Sequence, residues 1–282
     1  MKKVMIIGAR GMLGTSMVHG LTGCDLVAFN RSELDITCYS TVRQKLYQYK
    51  PDYIINCAAY TAVDQAEVEP ETAYKINASA VGMLASMAKQ IDATLIHFST
   101  DYVFNGSSKT PYKPDDPVNP INTYGRSKWL GERAIVSSGV KHYILRTSWL
   151  YAPHGKNFFR WVMENDQEEM KVVDTQVGCP TSAIDVADFI RHLINTDPER
   201  YGTYYFCNKG SMTWYAFAKA ISEKAGLQKK ISRVKTFPSL AERPEYSVLD
   251  CSNILSVFDY QISIQEGAMN KVLDAYRELI AS

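Results

Sequence analysis

The chain has 282 residues, about twice the usual single-domain length, so one large α/β domain or two modest ones fit it better than a small module. Hydrophobic residues make up 46% and charged residues 22%, a globular balance that excludes a long disordered or low-complexity chain. Thirty-one Lys and Arg stand against thirty Asp and Glu, a formal charge of +1, so the basic excess needed to hold a phosphate backbone is missing and nucleic acid is not an expected partner.

In chain order, Val4–Ile7 is an apolar run too short for the core of a signal peptide. Nothing approaches the roughly 20 continuous apolar residues of a bilayer-spanning helix, so no membrane partner is expected. A glycine turn and a helix follow, then a strand over 26–29, a helix over 40–49 and a strand over 53–55. A long helical pattern runs from Pro70 to about Ile91, then a strand over 94–98, a helix over 122–138 and a strand over 143–145. Unbroken apolar strands alternating with helices predict βαβ units in a parallel sheet covered on both faces. Beyond Tyr151 the rhythm loosens, with helices expected over 157–164, 184–195, 214–225 and 266–280. The fold predicted is a Rossmann-type doubly wound α/β domain over 1–150. A smaller α/β substrate-binding domain occupies most of 151–282, with some of its segments free to return to the first. The proline-rich stretch 111–120 reads as a surface lid or wall.

The six cysteines, Cys24, Cys38, Cys57, Cys179, Cys207 and Cys251, are scattered, with no CxxC pair and no histidine at zinc-ligand spacing. They read as reduced thiols, so a cytoplasmic setting is expected. Asp185 and Asp188 fit a helix cap or solvent face, and no metal is expected.

Gly8-Ala9-Arg10-Gly11-Met12-Leu13-Gly14 follows the first strand and opens the first helix, which is where a dinucleotide pyrophosphate rests on helix N–H groups. Glycine permits the tight turn and the close approach of the phosphates. Just past the second strand stand Asn30 and Arg31, with Glu33 and Asp35 close behind. An arginine there favours the 2′-phosphate of NADP and a carboxylate favours NAD, so the cofactor expected is NADPH or NADH, with a lean to NADPH.

Tyr124 and Lys128 lie four residues apart in a helical segment and therefore share a face. A cation beside a phenol is expected to lower its pKa and make its proton available. Thr100 ends the fourth strand at the carboxyl edge of the sheet, where its hydroxyl can meet the tyrosine and a reacting carbonyl oxygen. His97, on an otherwise apolar strand, reads as a satisfied buried histidine. Trp214-Tyr215 reads as a helix start with packing aromatics.

The ordered set of glycine turn, Asn56-Cys57-Ala58-Ala59, Ser99-Thr100 and YxxxK resembles the extended short-chain dehydrogenase/reductase superfamily. More narrowly, the segments Tyr60-Thr61-Ala62-Val63-Asp64-Gln65-Ala66-Glu67, Ser99-Thr100-Asp101-Tyr102-Val103-Phe104, Arg146-Thr147-Ser148-Trp149-Leu150-Tyr151, Gly178-Cys179-Pro180-Thr181 and Arg243-Pro244 resemble the dTDP-4-dehydrorhamnose reductase family. The resemblance implies a catalytic set of Thr100, Tyr124 and Lys128. It implies cofactor contacts from the glycine turn (Gly8, Gly11, Met12, Leu13, Gly14), from Arg31, Asp35 and Ile36, and from Ala58, Ala59, Tyr60 and Lys128. Substrate contacts would come from Val63, Thr100, Tyr102, Trp149 and Arg243. The activity implied is NAD(P)H-dependent reduction of the C4 keto group of dTDP-4-dehydro-6-deoxy-L-mannose to dTDP-L-rhamnose, with tyrosine as proton donor. Related 4,6-dehydratases carry Asp-Glu after the threonine, whereas this chain has Asp101-Tyr102, which disfavours dehydration. Some such reductases bridge a dimer through magnesium, but Thr15-Ser16 stand where an acidic residue would be wanted, and a homodimer is left open. Two alternatives also stand open: a non-catalytic NADP-binding subunit similar to the β subunit of methionine adenosyltransferase, and another nucleotide-sugar reductase or epimerase.

Overall fold

The computed structural model describes residues 1–281. Its centre is a six-stranded parallel sheet built mostly from the first half. In chain order these elements are β1 (Lys3–Ile7), α1 (Met12–Gly20), β2 (Asp25–Phe29), α2 (Tyr39–Tyr49) and β3 (Tyr53–Asn56). They continue with α3 (Val63–Val68), α4 (Pro70–Tyr74), α5 (Ala80–Gln90), β4 (Thr94–Thr100), α6 (Thr123–Ser138) and β5 (His142–Thr147). In β1 the period-2 alternation sends Val4 and Ile6 to one face and Met5 and Ile7 to the other, all fully buried. Each face of the sheet therefore needs a helical cover, and α2, α5 and α6 supply one side.

The second half contributes β6 (Leu150–Tyr151), α7 (Phe158–Glu164), β7 (Glu169–Val173), β8 (Val177–Gly178), β9 (Thr181–Ser182), α8 (Ala183–Thr196) and β10 (Gly202–Tyr205). After them come β11 (Met212–Thr213), α9 (Trp214–Lys224), β12 (Lys230–Val234), α10 (Ser252–Phe258) and α11 (Gln265–Ala281). Two of these return to the first half. Strand β10 pairs with β5 as the sixth strand, and the apolar face of α8 packs with α1 on the sheet face opposite α2 and α5. The remainder forms a smaller layer in which α7, α9 and α11 close over β7 around Phe159, Met170, Phe217 and Val272.

The strand order β10-β5-β4-β3-β1-β2 reverses direction between β1 and β3, and open α/β sheets bind ligands at such a switch point. The helical pattern after Pro70 is one run with a π turn at Lys75–Ser79 between α4 and α5, a device that periodicity alone does not announce. This turn points Asn77 inward. Its Oδ1 accepts the Tyr60 N–H at 2.8 Å, and its Nδ2 donates to Ser127 Oγ of α6 at 2.9 Å. A Cβ on Gly131 would lie 2.1 Å from the Asn77 oxygen, so glycine is what lets α6 seat this closely. Helix α6 carries Tyr124 and Lys128. The proline-rich stretch is tied down rather than free: Tyr112 stacks on Phe104 with centroids 4.1 Å apart, and its N–H donates to the Val248 carbonyl at 2.8 Å. Among the described residues no helix is long and apolar enough to cross a membrane.

Candidate active site

At the β1–β3 switch point the glycine turn closes against the end of β3. Gly8 has φ +85°, and a Cβ there would lie 2.8 Å from the Ala58 nitrogen. At Gly14 a Cβ would sit 2.1 Å from the Gly8 oxygen. Both contacts are with backbone, which cannot give way. No side chain caps α1 and its first turn holds no acid, which suits an incoming phosphate. A cavity of about 230 Å³ follows, lined by Gly8, Gly11, Arg31, Asp35, Ile36, Ala58 and Ala59 together with Arg10, Leu34, Cys57 and Ile76. These residues fit a dinucleotide: a glycine cradle beside an uncapped helix start, with a cation at the far end. Arg10, a cation inside the glycine turn that the glycine motif does not single out, also lines the cavity. Arg31 is largely exposed, its Nε 3.7 Å from Asp35. The other expected cofactor contacts, Met12, Leu13, Gly14, Tyr60 and Lys128, are not in that lining. The Leu13 side chain is buried in the core and Met12 packs against it, so at the start of α1 these two offer the groove their backbone N–H groups, while the Tyr60 hydroxyl donates to Glu69. Helical periodicity accounts for Leu13, since that position of α1 faces the sheet.

Asn122 caps α6, accepting from the Gly125 N–H at 2.7 Å. Gly125 and Tyr102 make the entry tight, because a Cβ on Gly125 would lie 2.1 Å from the Tyr102 oxygen. Tyr124 is half-buried, and the Tyr102 ring meets it edge-on at 5.9 Å. Burial pushes the Tyr124 phenol up to about 12, and the Thr100 hydroxyl pulls the other way. The Thr100 Oγ1 accepts the Tyr102 N–H at 3.1 Å and donates to Asp101 Oδ1 at 3.1 Å.

Lys128 departs from the expected arrangement. Its buried amine donates to the Phe98 carbonyl at 2.6 Å and lies 3.3 Å from His97 Nε2, rather than acting on the phenol. Burial pulls it down to about 8, while Glu132 and Cys57 raise it. Desolvation governs the tyrosine, and the lysine does not contribute to its shift. Asp101, one residue beyond Thr100, is buried and pushed up to about 7 by desolvation.

A second cleft, of about 450 Å³, opens between the two halves, with Asp64, Trp214, Phe158, Trp161, Phe237, Gln176 and Arg243 in its wall. Arg243 Nη2 donates to Asp64 Oδ2 at 2.9 Å, holding that carboxyl below its usual range, and the same guanidinium reaches Tyr102. The cleft thus adjoins Tyr124 through the Arg243–Tyr102 contact. Trp149 stacks on Trp214, so the tryptophan read as a packing aromatic is part of the cleft wall. Val63 begins α3 beside Asp64 and is not among the cleft-lining residues. Phe237 and Trp161, both exposed, carried no motif in the sequence and come into the site by folding alone.

The RmlD substrate binding domain family matches residues 1–278. The dTDP-4-dehydrorhamnose reductase of Aggregatibacter actinomycetemcomitans is 37% identical over 295 residues, covering 99% of this chain and 100% of its own. The crystal structure of dTDP-4-dehydrorhamnose reductase from Bacillus anthracis str. Ames, in complex with NADP, matches with a TM-score of 0.93 at 38% identity, covering 98% of this chain and 100% of that one. The UDP-glucose 4-epimerase of Thermus thermophilus, in complex with NAD, shares the fold, with a TM-score of 0.81 at 19% identity and coverage of 97% and 98%.

Proposed function

The chain belongs to the RmlD family of dTDP-4-dehydrorhamnose reductases, and from that membership we propose that it reduces the C4 keto group of dTDP-4-dehydro-6-deoxy-L-mannose to dTDP-L-rhamnose. It is an NAD(P)H-dependent oxidoreductase, and NADPH is its cofactor. The observation that carries the reading is Tyr124 beside Thr100 at the carboxyl end of β4, joined through the Tyr102 ring to Arg243 in the wall of the aromatic cleft.

When bound, the reduced nicotinamide supplies the hydride. The glycine turn and the start of α1 hold the pyrophosphate, Arg31 the 2′-phosphate, and Lys128 the nicotinamide ribose. A phenol held near 12 keeps its proton at neutral pH and releases it when the C4 oxygen gains alkoxide character, so Tyr124 is the proton donor. Thr100 hydrogen-bonds the same oxygen and orients it. Arg243 exchanges Asp64 for the diphosphate of the sugar nucleotide, a bidentate partner matched to its guanidinium. The Trp149–Trp214 pair walls the cleft on the sugar side. The setting is the cytoplasm, in keeping with six cysteines that all stand as free thiols. Size-exclusion chromatography separates a monomer from a homodimer.

The test is NADPH oxidation with the dTDP-keto sugar. Turnover is expected in the wild type, and its absence overturns the substrate. Tyr124→Phe is expected to lower kcat by roughly 10²–10⁴-fold, the usual contribution of a positioned acid, with NADPH affinity unchanged. Undiminished activity in that variant removes Tyr124 from the role.

A further inference from the structure

The buried chain behind Lys128 has a fixed polarity. It starts at a group with no choice, the backbone N–H of Ala58, which can only donate and does so to Asn56 Oδ1 at 3.1 Å. That bond sets the orientation of the Asn56 amide. Its Nδ2, also only a donor, lies 3.1 Å from His97 Nδ1, so Nδ1 must be the bare, accepting nitrogen of the ring. A neutral imidazole with a bare Nδ1 carries its hydrogen on Nε2. That Nε2–H faces the Lys128 amine at 3.3 Å. An ammonium would set donor against donor there, whereas an uncharged amine accepts from the ring and still donates to the Phe98 carbonyl at 2.6 Å.

We propose that Asn56 and His97 are positioning residues that present a donor to the Lys128 amine and thereby favour its uncharged, accepting form. His97 is fully buried and Asn56 nearly so, so water does not stand in for either partner. Burial holds the imidazole well below its usual value, which keeps it neutral. The amine in turn is pulled down to about 8. The other groups facing it are Cys57 beyond β3, whose thiol burial pushes up, and Glu132 one turn along α6. Glu132 is engaged by Arg146 at 2.7 Å and by Ser99. Tyr124 lies one turn before. None of these supplies the missing acceptor for an ammonium at the His97 side. The ammonium is then favoured when an acceptor is brought to the amine from the groove, and the bearing of this on turnover rests on the role given to Lys128 above.

The experiment is NMR of the full chain without cofactor, which reads the proposal independently of activity. With ¹³C,¹⁵N-lysine and Lys128→Arg for assignment, the Lys128 signal is expected to titrate at least one pH unit below the remaining lysines. Long-range ¹H–¹⁵N spectra are expected to show His97 bare at Nδ1 and protonated at Nε2. Asn56→Asp replaces the donor with an acceptor, so the ring is expected to carry its hydrogen on Nδ1 and the lysine titration to rise by a unit or more. Because the new carboxylate adds charge of its own, His97→Gln serves as the neutral control: its amide oxygen accepts from the ammonium, and the same upward shift is expected. A purely structural role would lower the melting temperature in these variants and leave the lysine titration where it was. A wild-type ring protonated at Nδ1, a Lys128 that titrates with the surface lysines, or variants that leave its titration unmoved would each overturn the proposal.

Discussion

Trp149 lies flat on Trp214, with ring centroids 3.6 Å apart and planes 7° from parallel, and it holds that position from left-handed backbone at φ +48°. A bulky residue in that region is costly and persists where packing over-determines it. Gly178 is what lets the indole in: a Cβ there would stand 2.5 Å from Trp149 Cε2. Gly178→Ala is expected to displace the stack, at an overpacking cost of about 1–3 kcal/mol. Substrate affinity should fall by roughly tenfold or more, at 1.4 kcal/mol per decade, with NADPH binding unchanged. Calorimetric titration with dTDP and with NADPH separates the two, and an unaltered dTDP affinity would remove the stack from the substrate wall.

Arg31 is the cation at the open end of the dinucleotide groove, its side chain largely exposed and only 3.7 Å from Asp35. Arg31→Ala should lower NADPH affinity by roughly tenfold or more, in line with a charge-assisted hydrogen bond of about 1.5–3 kcal/mol. NADH affinity should stay within about twofold, since NADH lacks the 2′-phosphate that the arginine would meet. Fluorescence titration with both cofactors checks this, and equal losses would assign Arg31 a general structural part.

Asp101 makes stability depend on pH in a direction opposite to most carboxylates. Its folded-state pKa of about 7 lies above the ordinary 3.8. Below both values the carboxyl is protonated in either state and contributes no difference. Between them the unfolded chain ionises while the folded one does not, so stability falls as pH rises and the penalty is complete above about 7. With one unit equal to about 1.36 kcal/mol, the penalty is on the order of 4 kcal/mol. Asp101→Asn removes it, so the variant's melting temperature should gain on the wild type between pH 5 and pH 8. A constant offset at the two pH values would show that this carboxyl does not titrate there.

Arg146 and Glu132 form a buried ion pair between β5 and α6, with Nε at 3.0 Å from Oε1 and Nη2 at 2.7 Å from Oε2. The remaining Nη1 donates to the Tyr205 hydroxyl of β10 at 2.9 Å. Arg146→Met leaves an unpaired buried carboxylate and should cost about 3–5 kcal/mol. Adding Glu132→Gln should recover much of that loss, because the uncompensated charge is gone. Denaturant unfolding of the single and double variants decides it, and additive losses would contradict the pairing.

The local features were legible in the sequence because they are matters of backbone period and conformational freedom. The unbroken apolar run Val4–Ile7 marked β1, the glycines of 8–14 marked a turn that side chains would block, and a spacing of four put Tyr124 and Lys128 on one face of α6. None of these depends on a distant partner. The direction of a side chain inside a packed interior does depend on one, and here the folded structure decided. It turned the Lys128 amine toward the Phe98 carbonyl instead of the phenol. It also joined Arg243 to Asp64 across 179 positions and sent Gly202–Tyr205 back as the sixth strand.

Periodicity and turn chemistry thus determined the Rossmann frame and set Tyr124 and Lys128 on one helix face from the amino-acid order alone. The protonation of those residues and the walls of the cleft were decided only by tertiary packing, because desolvation and hydrogen-bond polarity arise where segments remote in the chain exclude water from one another.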